Sequence, residues 1–160
     1  MILVLLGTQN NDFHRLLDEV EKNIKLGNIS EEVIVQAGFT KYNSKYMKIF
    51  NMMPQEKLES LVKKANLIIT HAGVGSIEMS LEQNKKVIAV PRLKEYGEHV
   101  NDHQLDIEKR FNQKRFLIGI EDVKHLGEAI EKAKNFKPMK YENNNEDKIV
   151  NIIKTYIDKI

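Results

Sequence analysis

The chain has 160 residues, a length that suits one domain, with 41% hydrophobic and 30% charged residues. A globular fold with a sizeable core is expected, and a disordered or fibrous chain is excluded. The net charge of +2 and the interspersed acids and bases argue against nucleic acid as a partner, and the absence of cysteine excludes disulfides and thiolate chemistry and fits a reducing cytosol.

Residues 2–6, Ile-Leu-Val-Leu-Leu, are continuously apolar. That pattern indicates a strand buried on both faces, as in a parallel sheet. The run is far shorter than the roughly 20 residues a bilayer span needs, and it lacks the basic flank of a signal peptide. Gly7-Thr8-Gln9 ends it. Phe13, Leu16, Leu17, Val20 and Ile24 then share one face of a helix over 13–26, with Gly27 at its C-cap. Residues 33–35 read as a strand ending at Gly38, and 46–50 as a third, shorter one. Pro54 opens a helix through Leu58, Leu61 and Val62. A strand over 67–69 stops at Thr70, a glycine turn follows, and Ile77 and Leu81 begin a helical pattern. Residues 87–90 form a strand that Pro91 terminates. A polar loop, a helix over 100–111, a strand over 116–118, and helices over 123–133 and 149–157 complete the chain.

No repeat or Pro/Ser/Gly-rich linker interrupts this order, so residues 1–160 are read as one domain. The terminal helix (146–159) packs either on this domain or on a partner. Strands alternating with helices predict an α/β, doubly wound parallel sheet of Rossmann-like type. Ligands of such sheets bind outside the carboxyl ends of the strands. Glycines follow three strands on that edge: Gly7, Gly38, and Gly73 with Gly75.

The stretch 66–84 carries the strongest signal. A strand, a glycine turn and a helix start leave backbone N–H groups uncovered at a positive dipole end, and glycines let a phosphate approach them. Ser76 either caps the helix or adds a hydroxyl to that phosphate. The same residues also suit an ordinary tight turn, since Gly-x-Gly-Ser is neither Gly-x-Gly-x-x-Gly nor a P-loop. His71 either packs in the turn or lines the site. Glu78 and Glu82 lie one turn apart on the helix, and at least one of them belongs to a solvated face.

The loop 91–104 brings Arg92, His99, Asn101, Asp102, His103 and Gln104 to the same edge. Imidazoles, amides and carboxylates there suit the hydroxyls of a sugar. Asn101 or Asp102 serves equally as an N-cap, whereas His103 and Gln104 have no capping duty and read as functional. Arg92 binds phosphate or sits in a surface ion pair. His99 and His103 are four apart, but no third metal ligand has recognisable spacing. Asp-x-Asp and His-Glu-x-x-His are missing, so no metal or other cofactor is expected. Gly-x-Ser-x-Gly is missing too, which argues against a nucleophilic triad. His14 and His125 read as surface residues.

Residues 70–77, Thr-His-Ala-Gly-Val-Gly-Ser-Ile, together with 98–104, Glu-His-Val-Asn-Asp-His-Gln, resemble the C-terminal, donor-binding half of GT-B glycosyltransferases of family 28. Gly7-Thr8-Gln9 and Val35-Gln36-Ala37-Gly38 are similar to the family's loops after its first two strands. The closest likeness is to the stand-alone halves, the PssE-like proteins of bacterial exopolysaccharide and capsule synthesis. The soluble subunit of the eukaryotic dolichol-pathway N-acetylglucosamine transferase is a more distant relative. The resemblance implies a UDP-sugar donor. Its diphosphate would lie on Gly7, Thr8 and Gln9 and on Gly73, Val74, Gly75 and Ser76, with Gly38 and His71 close by. His103 and Gln104 would touch the sugar, Asn101 would belong to the same nucleotide-sugar site, and residues 50–53 would lie near the uracil. The family's ribose-binding acid falls at Met79 here, with Glu78 or Glu82 as its expected substitute.

The resemblance further implies metal-free transfer with inversion. The acceptor and general base would come from a membrane-anchored, PssD-like partner, because this length accommodates only one half of the fold. The partner would present a polyprenyl-diphosphate-linked acceptor at the cytoplasmic face of the membrane. The sugar implied is galactose in β-1,4 linkage. In isolation the uncovered face is expected to drive self-association, giving a homo-oligomer. The competing reading is a non-enzymatic nucleotide-binding subunit that scaffolds a polysaccharide complex. A small dinucleotide-dependent enzyme is a third reading.

Overall fold

In the computed structural model, which describes residues 1–142, six strands form one parallel sheet. They are β1 (Ile2–Leu5), β2 (Val33–Gln36), β3 (Lys48–Phe50), β4 (Leu67–Thr70), β5 (Lys86–Ala89) and β6 (Ile118–Gly119), in the order β3-β2-β1-β4-β5-β6. Helices α1 (His14–Lys25) and α5 (Leu126–Asn135) cover one face, and α2 (Gln55–Lys64), α3 (Val74–Glu82) and α4 (His103–Gln113) the other. This is the doubly wound, Rossmann-like α/β fold that the pattern of continuous apolar strands predicts. The helix expected over 146–159 lies outside the described residues.

The continuous apolarity of 2–6 follows from the two layers. Ile2, Val4 and Leu6 point into the core under α1 and α5, while Leu3 and Leu5 point into the core under α2, α3 and α4. Ile68 and Ile69 divide in the same way in β4. Burying each such side chain contributes roughly 1.5–3 kcal/mol. On α1, Leu16, Leu17 and Val20 are buried as the helical spacing requires, and Gly27 follows its end at φ +82°.

The amino rim of the sheet is fastened by two consecutive lysines. Lys85 Nζ donates to the Lys63 and Ala65 carbonyls (2.6 and 3.0 Å) at the end of α2. Lys86 Nζ donates to Ala133 and Lys134 (2.8 and 3.1 Å) at the end of α5. The two ammonium groups reach to opposite sides of the sheet, so the pair caps one helix in each layer.

Five expectations are corrected. Residues 37–47 join β2 to the parallel β3 without a helix, so the alternation breaks once. The third strand is only Lys48–Phe50, and the last is Ile118–Gly119 rather than 116–118. The helix expected from 100 starts at His103, because residues 94–97 form a 3-10 turn closed by Gly97 at φ +70°. The helix expected from 77 starts at Val74, with extended Gly73 (ψ 134°) at its N-cap, so Ser76 lies inside the first turn and caps nothing. Among the described residues no helix is long and apolar enough to cross a membrane.

Glu108 on α4 is buried against β6. A Cβ added to Gly119 would lie 1.6 Å from its Oε1, and its Oε2 has no hydrogen-bond partner among the described residues. Burial, reinforced by Glu121 and opposed by Lys109, raises its pKa from 4.5 to about 7. The folded protein therefore holds a proton in this window that the unfolded chain has released. Stability falls as pH rises through the window. We expect Glu108→Gln to gain stability relative to the wild type when thermal melts are moved from about pH 5 to about pH 8. An unchanged difference between the two proteins would contradict this account.

Candidate functional site

β1 and β4 are neighbours, but the chain leaves them toward opposite edges of the sheet. Their carboxyl ends therefore splay apart and open a crevice. Gly7 (φ +75°) turns the chain out of β1. Out of β4, the left-handed residue is Ala72 (φ +66°), fully buried, and not one of the glycines. Holding alanine there costs on the order of 1 kcal/mol, a strain typical of functional turns.

Between the two turns stands the ring of His71. A Cβ on Gly7 would lie 2.4 Å from His71 Nε2, and one on Gly73 would lie 2.2 Å from Cε1 and 2.6 Å from Nε2. Both glycines are thus required by the imidazole itself. Gly38 (φ +60°) is required next to them, since its Cβ would fall 2.3 Å from the Gly7 carbonyl oxygen. Gly75 differs. It is helical, and a Cβ there would meet nothing within 4 Å. The fold does not need this glycine, and it leaves the first turn of α3 bare.

Behind His71 lies a buried polar network. The Arg92 backbone N–H donates to Gln104 Oε1 (3.1 Å), and Gln104 Nε2 lies 3.1 Å from His71 Nδ1. Burial and then the Arg92 charge push the His71 pKa down to about 3, against the hydrogen bond to Gln104, so the ring is neutral at physiological pH. His99, on the same loop, is also lowered, by burial and by Arg92. Arg92 is fully buried rather than at the surface, and its guanidinium is engaged by main-chain carbonyls. Its Nη1 donates to the Asn11 and Glu98 carbonyls (2.7 and 3.1 Å) and its Nη2 to Leu6 (2.7 Å). Glu98 in turn pairs through both oxygens with Arg15 (2.7 and 3.0 Å) and accepts the Leu93 N–H (2.9 Å).

A cleft of about 420 Å³ opens at the crevice. At one end lie Gly7, Thr8, His71, Gly73, Gly75 and Ser76, six of the residues singled out from the sequence. The first intrahelical bond of α3 is Ile77 N to Gly73 O, and no side chain caps the helix. The N–H groups of Val74, Gly75 and Ser76 therefore have no intrahelical partner at the positive end of a helix dipole, and Gly75 and Ser76 line the cleft. Met52, Met53, Gln55, Leu58 and Met79 complete the lining, and the Gln36 amide joins the two groups, its Nε2 3.4 Å from the Gly7 carbonyl and 3.1 Å from that of Asn51.

The remaining sequence candidates fall elsewhere. Gln9 turns toward Asn11 (3.5 Å), and Gly38 packs beneath Gly7. Val74 contributes backbone only. Glu78 is not brought to the cleft: its carboxylate accepts the Tyr141 hydroxyl (3.2 Å), while Met79 lines the cleft. Asn101 Oδ1 accepts the His103 N–H (3.1 Å), the local turn role that is the alternative for asparagine. Asp102 Oδ1 accepts the Lys94 N–H (2.8 Å). Neither His103 nor Gln104 lines the cleft, and both ends of the Gln104 amide are engaged inside the protein. His14 and His125 are exposed, as expected. Sequence reading missed Gln36 and Gln55. Gln36 Nε2 donates to the Asn51 carbonyl (3.1 Å), a long-range contact with no local signature. Among the described residues no three metal-ligating side chains cluster.

A parallel sheet in this order, with an uncapped helix start at its switch point, defines a Rossmann-like α/β domain. The chain belongs to the glycosyltransferase family 28 C-terminal domain, whose family model matches residues 1–157. Among solved structures it is similar to ALG13 in solution, with 17% identity, a TM-score of 0.61, and 92% of this chain and 93% of that one covered. It is also similar to the Methanocaldococcus jannaschii UDP-GlcNAc 2-epimerase in complex with UDP-GlcNAc and UDP, with 19% identity, a TM-score of 0.60, and 96% and 45% covered. Acinetobacter baumannii MurG shares 16% identity at a TM-score of 0.57, over 82% and 41%. The chain thus spans less than half of the last two proteins. Among curated protein sequences none matches it.

Two substitutions separate fold from site. Gly75→Ala is expected to keep or slightly raise thermal stability, because alanine is the better helix former by up to about 1 kcal/mol. The same methyl should weaken anion binding in the cleft, so a melt paired with a UDP titration checks both. Arg92→Leu leaves three buried carbonyls without a donor and should cost about 3 kcal/mol or more in a urea melt.

Proposed function

We propose that this chain is the donor-binding subunit of a two-component, inverting glycosyltransferase that takes a UDP-sugar. The observation that carries the reading is the cleft itself. One end offers uncapped N–H groups, two hydroxyls and a neutral imidazole to a diphosphate. The other offers thioethers and the Gln55 amide, which suit a flat heterocycle with a polar edge. Membership of family 28 supports sugar transfer as the chemistry.

In the proposed reaction an acceptor hydroxyl attacks the anomeric carbon, the bond to the diphosphate oxygen breaks, and the configuration inverts. Negative charge grows on the departing UDP. The N–H groups of Val74, Gly75 and Ser76 and the His71 Nε2–H are set to receive it, which is electrostatic preorganisation. The acceptor's proton needs a base. Among the residues lining the cleft there is no carboxylate, and His71 already holds its Nδ1 toward Gln104. The base is therefore assigned to a partner.

A covering partner is also supported by the surface. Phe39, Tyr96 and Val100, on the loops after β2 and β5, are 56%, 57% and 68% exposed at the functional edge. We assign that face to a membrane-anchored, PssD-like subunit presenting a polyprenyl-diphosphate-linked acceptor at the cytoplasmic face of the membrane. We propose further, on the resemblance to PssE-like proteins, that the reaction belongs to bacterial exopolysaccharide or capsule synthesis and transfers galactose in β-1,4 linkage.

Calorimetric titration with UDP, UDP-galactose, UDP-N-acetylglucosamine and NAD tests the donor assignment, and a reconstituted pair tests transfer. We expect selective binding of the UDP compounds and turnover only by the pair. His71→Ala should lower that turnover about 10²–10³-fold, the usual effect of losing one donor to a developing oxyanion. Binding of UDP-sugars without turnover by the pair would favour the scaffold reading.

A further inference from the structure

We propose that Gln104 is a positioning residue: it holds the imidazole of His71 as the single tautomer whose Nε2–H faces the cleft. The inference deepens the donor-site reading and rests on it for the ligand, but its structural part stands alone.

The argument runs from a group whose role admits no choice. A backbone N–H only donates, and the Arg92 N–H lies 3.1 Å from one end of the Gln104 amide. That end is therefore the carbonyl oxygen, and the other end is the NH₂. The NH₂ lies 3.1 Å from His71 Nδ1, so Nδ1 accepts. A neutral imidazole that accepts at Nδ1 carries its proton on Nε2. Nε2 stands between Gly7 and Gly73, at the mouth of the uncapped helix. The backbone after β5 thus dictates, through one amide, which atom of His71 presents hydrogen to the cleft.

The surroundings keep the ring in this state. The charged or titratable groups acting on it are Arg92, from the strand end behind it, and His99, from the adjoining loop. Both disfavour a second proton, and burial does so more strongly. A doubly protonated ring would bind a diphosphate by charge and would lose its grip as pH rose. A neutral N–H donor gives binding that does not vary with pH.

Long-range proton–nitrogen NMR on the uniformly ¹⁵N-labelled full chain reads the tautomer directly. We expect His71 to show a protonated Nε2 and a bare Nδ1 without change from about pH 5.5 to about pH 8. Gln104→Glu is nearly isosteric and still accepts from Arg92 N–H, but it places a carboxylate on Nδ1. In this variant His71 should take up a second proton near neutrality. UDP-N-acetylglucosamine, which does not titrate in this range, supplies the binding readout. Wild-type Kd should vary less than about twofold across the range, whereas the variant's should weaken about tenfold from low to high pH. Gln104→Leu, checked by thermal melt, should lose the single tautomer.

An Nδ1–H tautomer or a mixture in the wild type would overturn the proposal, as would a Gln104→Glu ring that behaves like the wild type. The wild-type spectrum needs no variant to fold. If that spectrum is as expected but no UDP-sugar binds, the donor-site reading fails while the positioning of His71 stands.

Discussion

A buried cation holds the functional rim together. The guanidinium of Arg92 lies between the loops that leave β1 and β5 and donates to three main-chain carbonyls, with the ring of Phe13 5.0 Å from it. Its pKa falls only to about 10, so it stays charged at any physiological pH. The Glu98 carboxylate lies close enough to favour that charge. Glu98 in turn grips Arg15 on α1, which lies over Tyr96 at 4.4 Å. One charge thereby joins a helix, two loops and two strand ends. Removing it would leave acceptors buried without donors, which is why such groups rarely tolerate truncation.

The same cation shapes the chemistry in front of it. Its field disfavours protonation of His71 and adds to the positive potential of the helix end. Steric demand does the rest. The imidazole occupies the space that side chains at Gly7 and Gly73 would need, and the Gly7 carbonyl occupies the space of a side chain at Gly38. Three of the four glycines at this edge therefore answer to neighbours within the protein. Only Gly75 answers to the space outside it.

Much of this was legible in the residues. Four-residue apolar strands buried on both faces announce a parallel sheet, and glycines after successive strands mark the edge where ligands bind. The cradle of Gly7, Thr8, His71, Gly73, Gly75 and Ser76 follows from those two signals. The illegible part consists of polar side chains whose partners are distant in sequence. Gln104 meets His71 33 residues away, and Arg92 meets Leu6 86 residues away. Both read locally as exposed loop residues available to a ligand. Glu78 misled for another reason: helical spacing places it one position from the cleft-facing Met79, and only the tertiary fold reveals that Tyr141 holds it. The left-handed Ala72 was hidden because the glycines beside it are the usual owners of that conformation.

The lysine pair at the amino rim bears on how such a domain diversifies. Lys85 and Lys86 bind main-chain carbonyls, which every amino acid supplies, so the fastening of the two layers places little demand on the side chains around it. Inheritance of the frame is thereby separated from inheritance of the site. Changes in the loops at the carboxyl rim leave these bonds untouched, so two alkyl amines at the far end hold the architecture while the crevice is free to vary.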